Sequence, residues 1–428
     1  MKLLRSTQRG FAGRLEALSR RLNLVDKGIE GAVRSILDAV RREGDSALIR
    51  YTKKFDHVHL TPRNLRVTEK ELEEAYRQAD AAVVESLRYA AERITTYHQK
   101  QHASSWSFTN GGITLGQQVR PLDRVGIYVP GGTAVYPSTV LMNALPAKIA
   151  GVRQVVMCTP TKDGVVNPYL LVAADLAGVR EIYRVGGAQA IAAMVYGTKT
   201  IPRVDKVVGP GNRYVAAAKR LTYGEVDIDM VAGPSEVLII ADQTANPAYV
   251  AADLLAQAEH DQESWVFLVT PMRELIRKVN RELARQLKGL GRRAIAASAI
   301  KRHGFTILVK DLEEAAVVAN AVAAEHVGLA IKKPFELVPR LNHAGAVFLG
   351  HFTPEAVGDY IAGPNHVLPT GGTARFFSPL SVDDFVKRSS LVGYSQEELI
   401  RAHEHVLRIA GVEGLDAHAR AVEIRLRG

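Results

Sequence analysis

Hydrophobic positions along this chain change rhythm twice. Up to about residue 120 they recur every three or four places. Residues 29–42 and 69–100 carry apolar side chains at that spacing with charged ones opposite, which predicts amphipathic helices. Short β-like pieces at 65–67 and 113–115 interrupt them. From about 124 the rhythm becomes a short apolar run, then glycine, then a helical stretch. The runs at 124–130, 152–158, 181–185 and 204–208 predict buried strands, each of the first, third and last ending in paired or near-paired glycines. A second series follows at 236–241, 264–270, 305–310, 327–331 and 346–349. Apolar strands alternating with helices indicate parallel, doubly wound sheets covered on both faces. The last regime is helical again. Ser395 with Glu398 forms a capping-box pattern before 399–410, Asp416 predicts the N-cap of a last helix over 417–427, and Gly411 and Gly414 are expected to break the two.

The expected fold is therefore α/β: two Rossmann-like parallel-sheet domains, a helical N-terminal segment and a helical C-terminal tail domain. The expected boundaries are 1–123 plus 236–378 for a discontinuous first domain, 124–235 for a second domain, and 379–428 for the tail. No G-x-G-x-x-G is present: the run at 209–214 (GPGNRY) stops short of it. Glycine-rich strand ends before helix N-termini still offer backbone N–H groups to phosphates.

Composition narrows the classes. The chain has 428 residues, 47% hydrophobic and 23% charged, which is globular. Cys158 is the sole cysteine, so neither an internal disulfide nor a Cys-based zinc site is possible, and any metal must sit on His, Asp, Glu or Gln. The net charge of +10 comes from scattered Lys and Arg among 45 acidic residues, without interleaved aromatics, which argues against nucleic acid as partner. No apolar run is long enough for a membrane span, and the first residues are too charged for a signal-peptide core, so a cytoplasmic protein is expected.

Four places carry side chains suited to chemistry. Gln257 and His260 are three apart near the end of a helix that starts at Asn246 and Pro247, so both project from one side; taken alone, such a pair is more often a solvated helix end. Glu325 and His326 are adjacent at the head of a predicted strand. They can face one site only at a loop or bulge before the regular strand, where they would form an acid–base couple, each moving the other's pKa toward its charged form. The stretch 358–372 reads as a long loop holding Asp359, Asn365 and His366, and long ordered loops are usually functional. Glu413 and His418 flank the start of the last helix, and spacing alone does not bring them together.

Taken together these segments resemble the histidinol dehydrogenase family over nearly the whole chain. The resemblance rests on GIYVPGG at 126–132, YRVGGAQAI at 183–191, GPGN at 209–212, AGPSEV at 232–237, QAEH at 257–260, Glu325-His326, GDY at 358–360, NHVLPT at 365–370, and the tail's Glu413 and His418. Around the acid–base pair this chain reads AAEHVG, where many relatives have Pro before the Glu and Leu after the His.

The resemblance implies a Zn²⁺ held by Gln257, His260, Asp359 and His418. It implies substrate contacts from Ser235, Glu413, His326 and the zinc ligands, and catalytic acid–base roles for Glu325 and His326. NAD contacts would come from Tyr128, Gln189 and Asn212, with His366 a second-rank residue lining the site. The implied reaction is two successive NAD-dependent oxidations of L-histidinol, through a bound aldehyde, to L-histidine. The implied assembly is a homodimer in which each tail completes the partner's site. Two alternatives stay open at this level: a dehydrogenase of the same family acting on another small alcohol, such as a sulfonated diol, and a zinc hydrolase.

Overall fold

The computed structural model describes residues 1–21, 27–131 and 135–427; Gly132, which belongs to the predicted glycine end of the first strand, lies outside them. The chain divides into two compact units, one of residues 1–101 and 123–385, the other of residues 102–122 and 386–428.

The larger unit contains two parallel sheets. One has six strands in the order Lys2–Arg5, Gly304–Leu308, Trp265–Thr270, Glu236–Ala241, His326–Ala330, Ala346–Leu349. Its central strand is buried at every position, as its unbroken EVLIIA run requires. Helices pack on both faces: Leu238, Phe267, Ile307 and Leu329 join one core cluster, Ile239, Val266, Leu268 and Leu254 the other. The other sheet has five strands in the order Glu181–Tyr183, Gln154–Cys158, Arg124–Tyr128, Lys206–Val208, Asp227–Ile228. Its winding reverses between the strands ending at Tyr128 and Val208, and ligands of open α/β sheets bind at such switch points. Each strand run expected from the pattern at 124–349 forms a strand, with ends moved by at most a few residues. The two-sheet α/β expectation is met.

Three local expectations are corrected. The helical stretch 69–100 is two helices, Glu69–Gln78 and Ala81–His98, because Asp80 leaves the helix to cap the second one, accepting from the Ala82 and Val83 N–H groups. The amino-terminal segment is not purely helical: Lys2–Arg5 adds an edge strand to the six-stranded sheet. Asp359 is not in a loop, since Glu355–Tyr360 forms a short helix.

The smaller unit is likewise more than helical. Val386–Tyr394 pairs antiparallel with Ile113–Pro121, which pairs with Trp106–Asn110. Few of these residues are buried, so no clean alternation marks their full lengths, although the β-like piece at 113–115 does open one of them. Ser395 caps the helix Gln396–Glu413 by accepting from Glu398 N–H, but its own N–H goes to Gly112, so only half the capping box forms. Gly411 stays inside that helix and Gly414 ends it in the left-handed region. Leu415, not Asp416, caps the last helix, and Asp416 occupies its first turn. Among the described residues no helix is long and apolar enough to cross a membrane.

Candidate active site

The strand His326–Ala330 follows a helix that ends at Ala323 in the left-handed conformation (φ 49°). That turn lets Glu325 sit in a bend just before the ladder begins, so Glu325 and His326 reach one place instead of opposite faces. Both are buried. The neighbouring strand supplies their partners at its first residue. Glu236 N–H donates to Glu325 Oε2 at 2.8 Å, and His326 Nδ1 donates to the Glu236 carbonyl at 2.9 Å. A carbonyl only accepts, so Nδ1 carries a proton, and when the imidazole is neutral its lone pair is on Nε2. Nε2 is buried, has no hydrogen-bond partner among the described residues, and lies 3.7 Å from Asp359 Oδ1.

Asp359 is brought there by its short helix, which packs so closely on Phe348 that only glycine fits at 358: a Cβ would come 2.6 Å from the Phe348 ring. His366 braces it from the following loop, donating Nδ1 to the Asp359 carbonyl at 2.9 Å while its Nε2 lies 3.4 Å from Thr139 Oγ1.

Gln257 and His260 come from the helix Pro247–Ala258 and the turn after it. Asn246 caps that helix through Ala248 N–H, as expected. Gln257 is buried, its amide nitrogen donating to Glu355 Oε1 at 3.1 Å and its oxygen accepting from Glu236 N–H at 2.9 Å. The oxygen keeps a second lone pair. His260 lines a cavity of about 380 Å³ together with Tyr136, Leu141, Glu259, Arg292 and Tyr360. A larger cavity, about 520 Å³ among His57, His59, Glu71 and Arg184, contains none of the residues singled out from the sequence.

The electrostatics follow from burial among carboxylates. Burial pushes the Glu325 carboxyl up to about 8, against the opposing pull of His326 3.6 Å away. His326 does pull Glu325 downward as expected, but desolvation outweighs that attraction and the net shift is upward. Burial opposes the His326 imidazolium, but Glu325, Asp359 and Glu355 outweigh it and its pKa is raised. Burial also drives Asp359 up, yet His326, His366 and His260 hold it below its usual value. His260 and His366 are both lowered by desolvation, which favours neutral imidazoles.

The remaining residues fall into two groups. Tyr128 ends its strand, Asn212 follows the next one across the switch point, and Gln189 lies in the first turn of the helix Gly187–Tyr196. Tyr128 Oη accepts from Gly187 N–H at 3.1 Å. Gln189 is buried with its Nε2 unpartnered among the described residues, and Asn212 caps its own helix through Tyr214 and Val215 N–H. Ser235, half-buried, precedes Glu236. Glu413 and His418 belong to the smaller unit, where both are exposed. Among the described residues no three His, Cys, Asp or Glu side chains gather as a metal cluster.

Two acidic residues were missed. Glu355 is fully enclosed beside Gln257, and Glu236 joins the chain's main acid–base pair. Glu236 does leave a trace in the sequence, being a charge at the head of an otherwise apolar strand.

The chain resembles known proteins along its whole length. A family model described as histidinol dehydrogenase matches residues 19–426. The histidinol dehydrogenase of Syntrophotalea carbinolica is 51% identical over 428 residues, covering 100% of this chain and 99% of the relative. That of Heliobacterium mobile is 54% identical over 405 residues, covering 94% and 95%. The crystal structure of histidinol dehydrogenase from Elizabethkingia anophelis superposes with a TM-score of 0.94 at 38% identity, covering 100% of this chain and 98% of that one. With similarity this extensive in sequence and fold, the chain belongs to the histidinol dehydrogenase family and is an oxidoreductase.

Proposed function

We propose that this protein oxidises L-histidinol to L-histidine in two NAD-dependent steps, with Glu325 and His326 handling the protons. The observation that carries this reading is the buried pair itself: an imidazole with its tautomer fixed, its free Nε2 next to Asp359, and a carboxyl beside it.

Gln257, His260 and Asp359 offer an amide oxygen, an imidazole held neutral by burial, and a carboxylate held ionised. This is an N/O donor set suited to Zn²⁺, and the orphaned His326 Nε2 marks a polar space beside it. We take His418 of the partner subunit as the fourth ligand, and Glu413 of the partner subunit with this chain's Ser235 as further substrate contacts. Zinc there would supply a Lewis acid that orients the amino alcohol through its nitrogens. Tyr128, Gln189 and Asn212 stand at carboxyl ends of parallel strands, where dinucleotides bind, and the unpaired Gln189 amide is a donor in waiting. NAD held there would accept one hydride in each step. We assign residues 124–235 to the nucleotide-binding half, residues 1–123 with 236–378 to the other, and residues 379–428 to the tail.

The chain's own residues then move protons. His326 Nε2 takes the hydroxyl proton as the alcohol carbon loses hydride. The resulting imidazolium favours the ionised form of Glu325, whose own proton passes to solvent; the carboxylate then takes a proton from water as the water oxygen bonds to the aldehyde carbon. The carbonyl oxygen receives the proton from His326, giving a hydrate. His326, neutral again, takes a hydroxyl proton from the hydrate as the second hydride leaves. A cation beside Asp359 would offset the carboxylates that raise the His326 pKa, so the imidazole becomes available as a base. Exposed apolar residues of the smaller unit, among them Trp106, Phe108, Val392, Ile409 and Val412, support a homodimer. A cytoplasmic site of action goes with a small-molecule biosynthetic step.

The test is a product count. With zinc, NAD and histidinol, the protein should give two NADH per histidine. Glu325→Gln should form the first NADH at close to the normal rate and slow the aldehyde step by a factor on the order of 10²–10⁴. Loss of histidinol oxidation with the aldehyde step intact would reverse the two roles. Release of product without NADH would favour a hydrolase.

A further inference from the structure

Glu236 touches every member of the acid–base machinery through its peptide and is itself locked by one arginine. Its N–H serves both Glu325 Oε2 and the Gln257 amide oxygen, and its carbonyl fixes the proton on His326 Nδ1. Its carboxylate accepts from Gly371 N–H at 2.9 Å and from Glu325 N–H at 3.4 Å. Both carboxylate oxygens also face the Arg21 guanidinium in a two-pronged pair, and the two side chains are each 1% exposed. Arg21 spends its third nitrogen on the Leu18 and Val322 carbonyls and lies over the Phe267 ring.

We infer that the Arg21–Glu236 pair is the positioning element of the active site, holding one peptide at an orientation that sets the His326 tautomer and the Glu325 and Gln257 rotamers. Nothing in the fold alone demands a charge here. The rest of the Glu236 strand is apolar, and a buried ion pair is on average no more stabilising than well-packed hydrophobic side chains. What the pair does supply is direction: a bidentate guanidinium fixes the carboxylate plane, and that carboxylate fixes the backbone N–H groups of Glu325 and Gly371 on either side of the site. Lysine offers a point charge without the fork. Neither Arg21 nor Glu236 donates or accepts a reaction proton, so both act through the residues they orient.

This inference rests on the assignment of Glu325 and His326 as the proton-handling pair, and the experiment separates the two. Four variants of the zinc-loaded full chain are compared: Arg21→Lys, Glu236→Gln, and Glu325→Gln and His326→Asn as controls. Three readouts are taken: kcat for histidinol and for the aldehyde per folded molecule, KM for NAD, and the nitrogen-15 signals of the His326 imidazole, assigned by their loss in His326→Asn. Arg21→Lys and Glu236→Gln should each lower kcat for both substrates by about tenfold to a hundredfold. KM for NAD should stay unchanged, and the imidazole signals should shift away from the single Nδ1–H form. Arg21→Lys keeps the charge and provides the measurement if Glu236→Gln does not fold. Wild-type kcat and an unchanged imidazole signal with only a lower melting temperature would make the pair structural and overturn the inference. Controls with undiminished kcat would instead overturn the assignment of the acid–base pair itself.

Discussion

At the scale of single residues, the acid–base pair leaves a mark on stability as well as on rate. Glu325 and His326 both hold protons in the folded chain that they release on unfolding. Burial raises Glu325 from its ordinary 4.5 to about 8, so the folded state keeps a proton through that interval and stability falls as pH rises across it. His326 is raised above its ordinary 6.5 by the surrounding carboxylates. Its contribution is complete below 6.5 and is lost as pH climbs through the raised value. The two effects therefore have the same sign between about pH 5 and 8, with a slope of up to about 1.4 kcal/mol per pH unit for each. Asp359, held low, has the opposite sign, but its contribution is lost only in acid, below its ordinary 3.8. Metal-free protein should thus lose melting temperature from pH 5 to 8 more steeply than the double variant Glu325→Gln/His326→Asn. Parallel curves for the two proteins would show that the pair is not protonated in the fold as described.

At the scale of elements, the site depends on one short helix seated without clearance. Gly358→Ala puts a methyl group 2.6 Å from the Phe348 ring, so either that ring or the helix Glu355–Tyr360 must shift, and we expect the helix to lift and carry Asp359 with it. The expected cost is about 1–3 kcal/mol of stability. A rise in KM for histidinol and weaker zinc retention against a chelator should accompany it. Ordinary zinc retention at that stability loss would mean that Asp359 stays in place by other contacts. The same helix shows where sequence reading stops. Periodicity found the strands because parallel strands, buried on both faces, are written as apolar runs such as the VLIIA of 237–241. It missed the helix at 355–360, which is only six residues long and whose Glu355 is buried among carboxylates where the pattern suggests solvent. Gln257, His260, Asp359 and the Glu325–His326 pair, and their meeting at one place, were legible only through family resemblance; spacing alone could not show it, since residues 257 to 359 come together only once the sheet has formed. Glu325 and His326 also sit at the amino ends of parallel strands, away from the carboxyl-end position where α/β sheets usually bind ligands. Arg21 has no local signature at all. Its role exists because the segment from residue 11 to 21 returns beneath the head of the Glu236 strand.

At the scale of the molecule, the residues of the proposed site are divided between the two units. Gln257, His260 and Asp359 belong to the larger unit, while Glu413 and His418 belong to the smaller one and are exposed there. The exposed apolar side chains of that smaller unit, with Val412 directly beside Glu413, are what a subunit interface would cover. If tails are exchanged in a dimer, damage to the tail and damage to the acid–base pair become separable. A His418→Ala chain retains a sound Glu325–His326 pair and lends a defective tail; a His326→Ala chain does the reverse. Alone, each homodimer should be nearly inactive. Mixed after dissociation and reassembly, half of the dimers are hybrids, and each hybrid contains one site with both faults and one with neither. The mixture should therefore recover about one quarter of wild-type activity when reassembly is random. Mass spectrometry of the intact dimers checks that hybrids have formed. Hybrids without activity would show that each tail serves its own chain, because then every site would retain one fault.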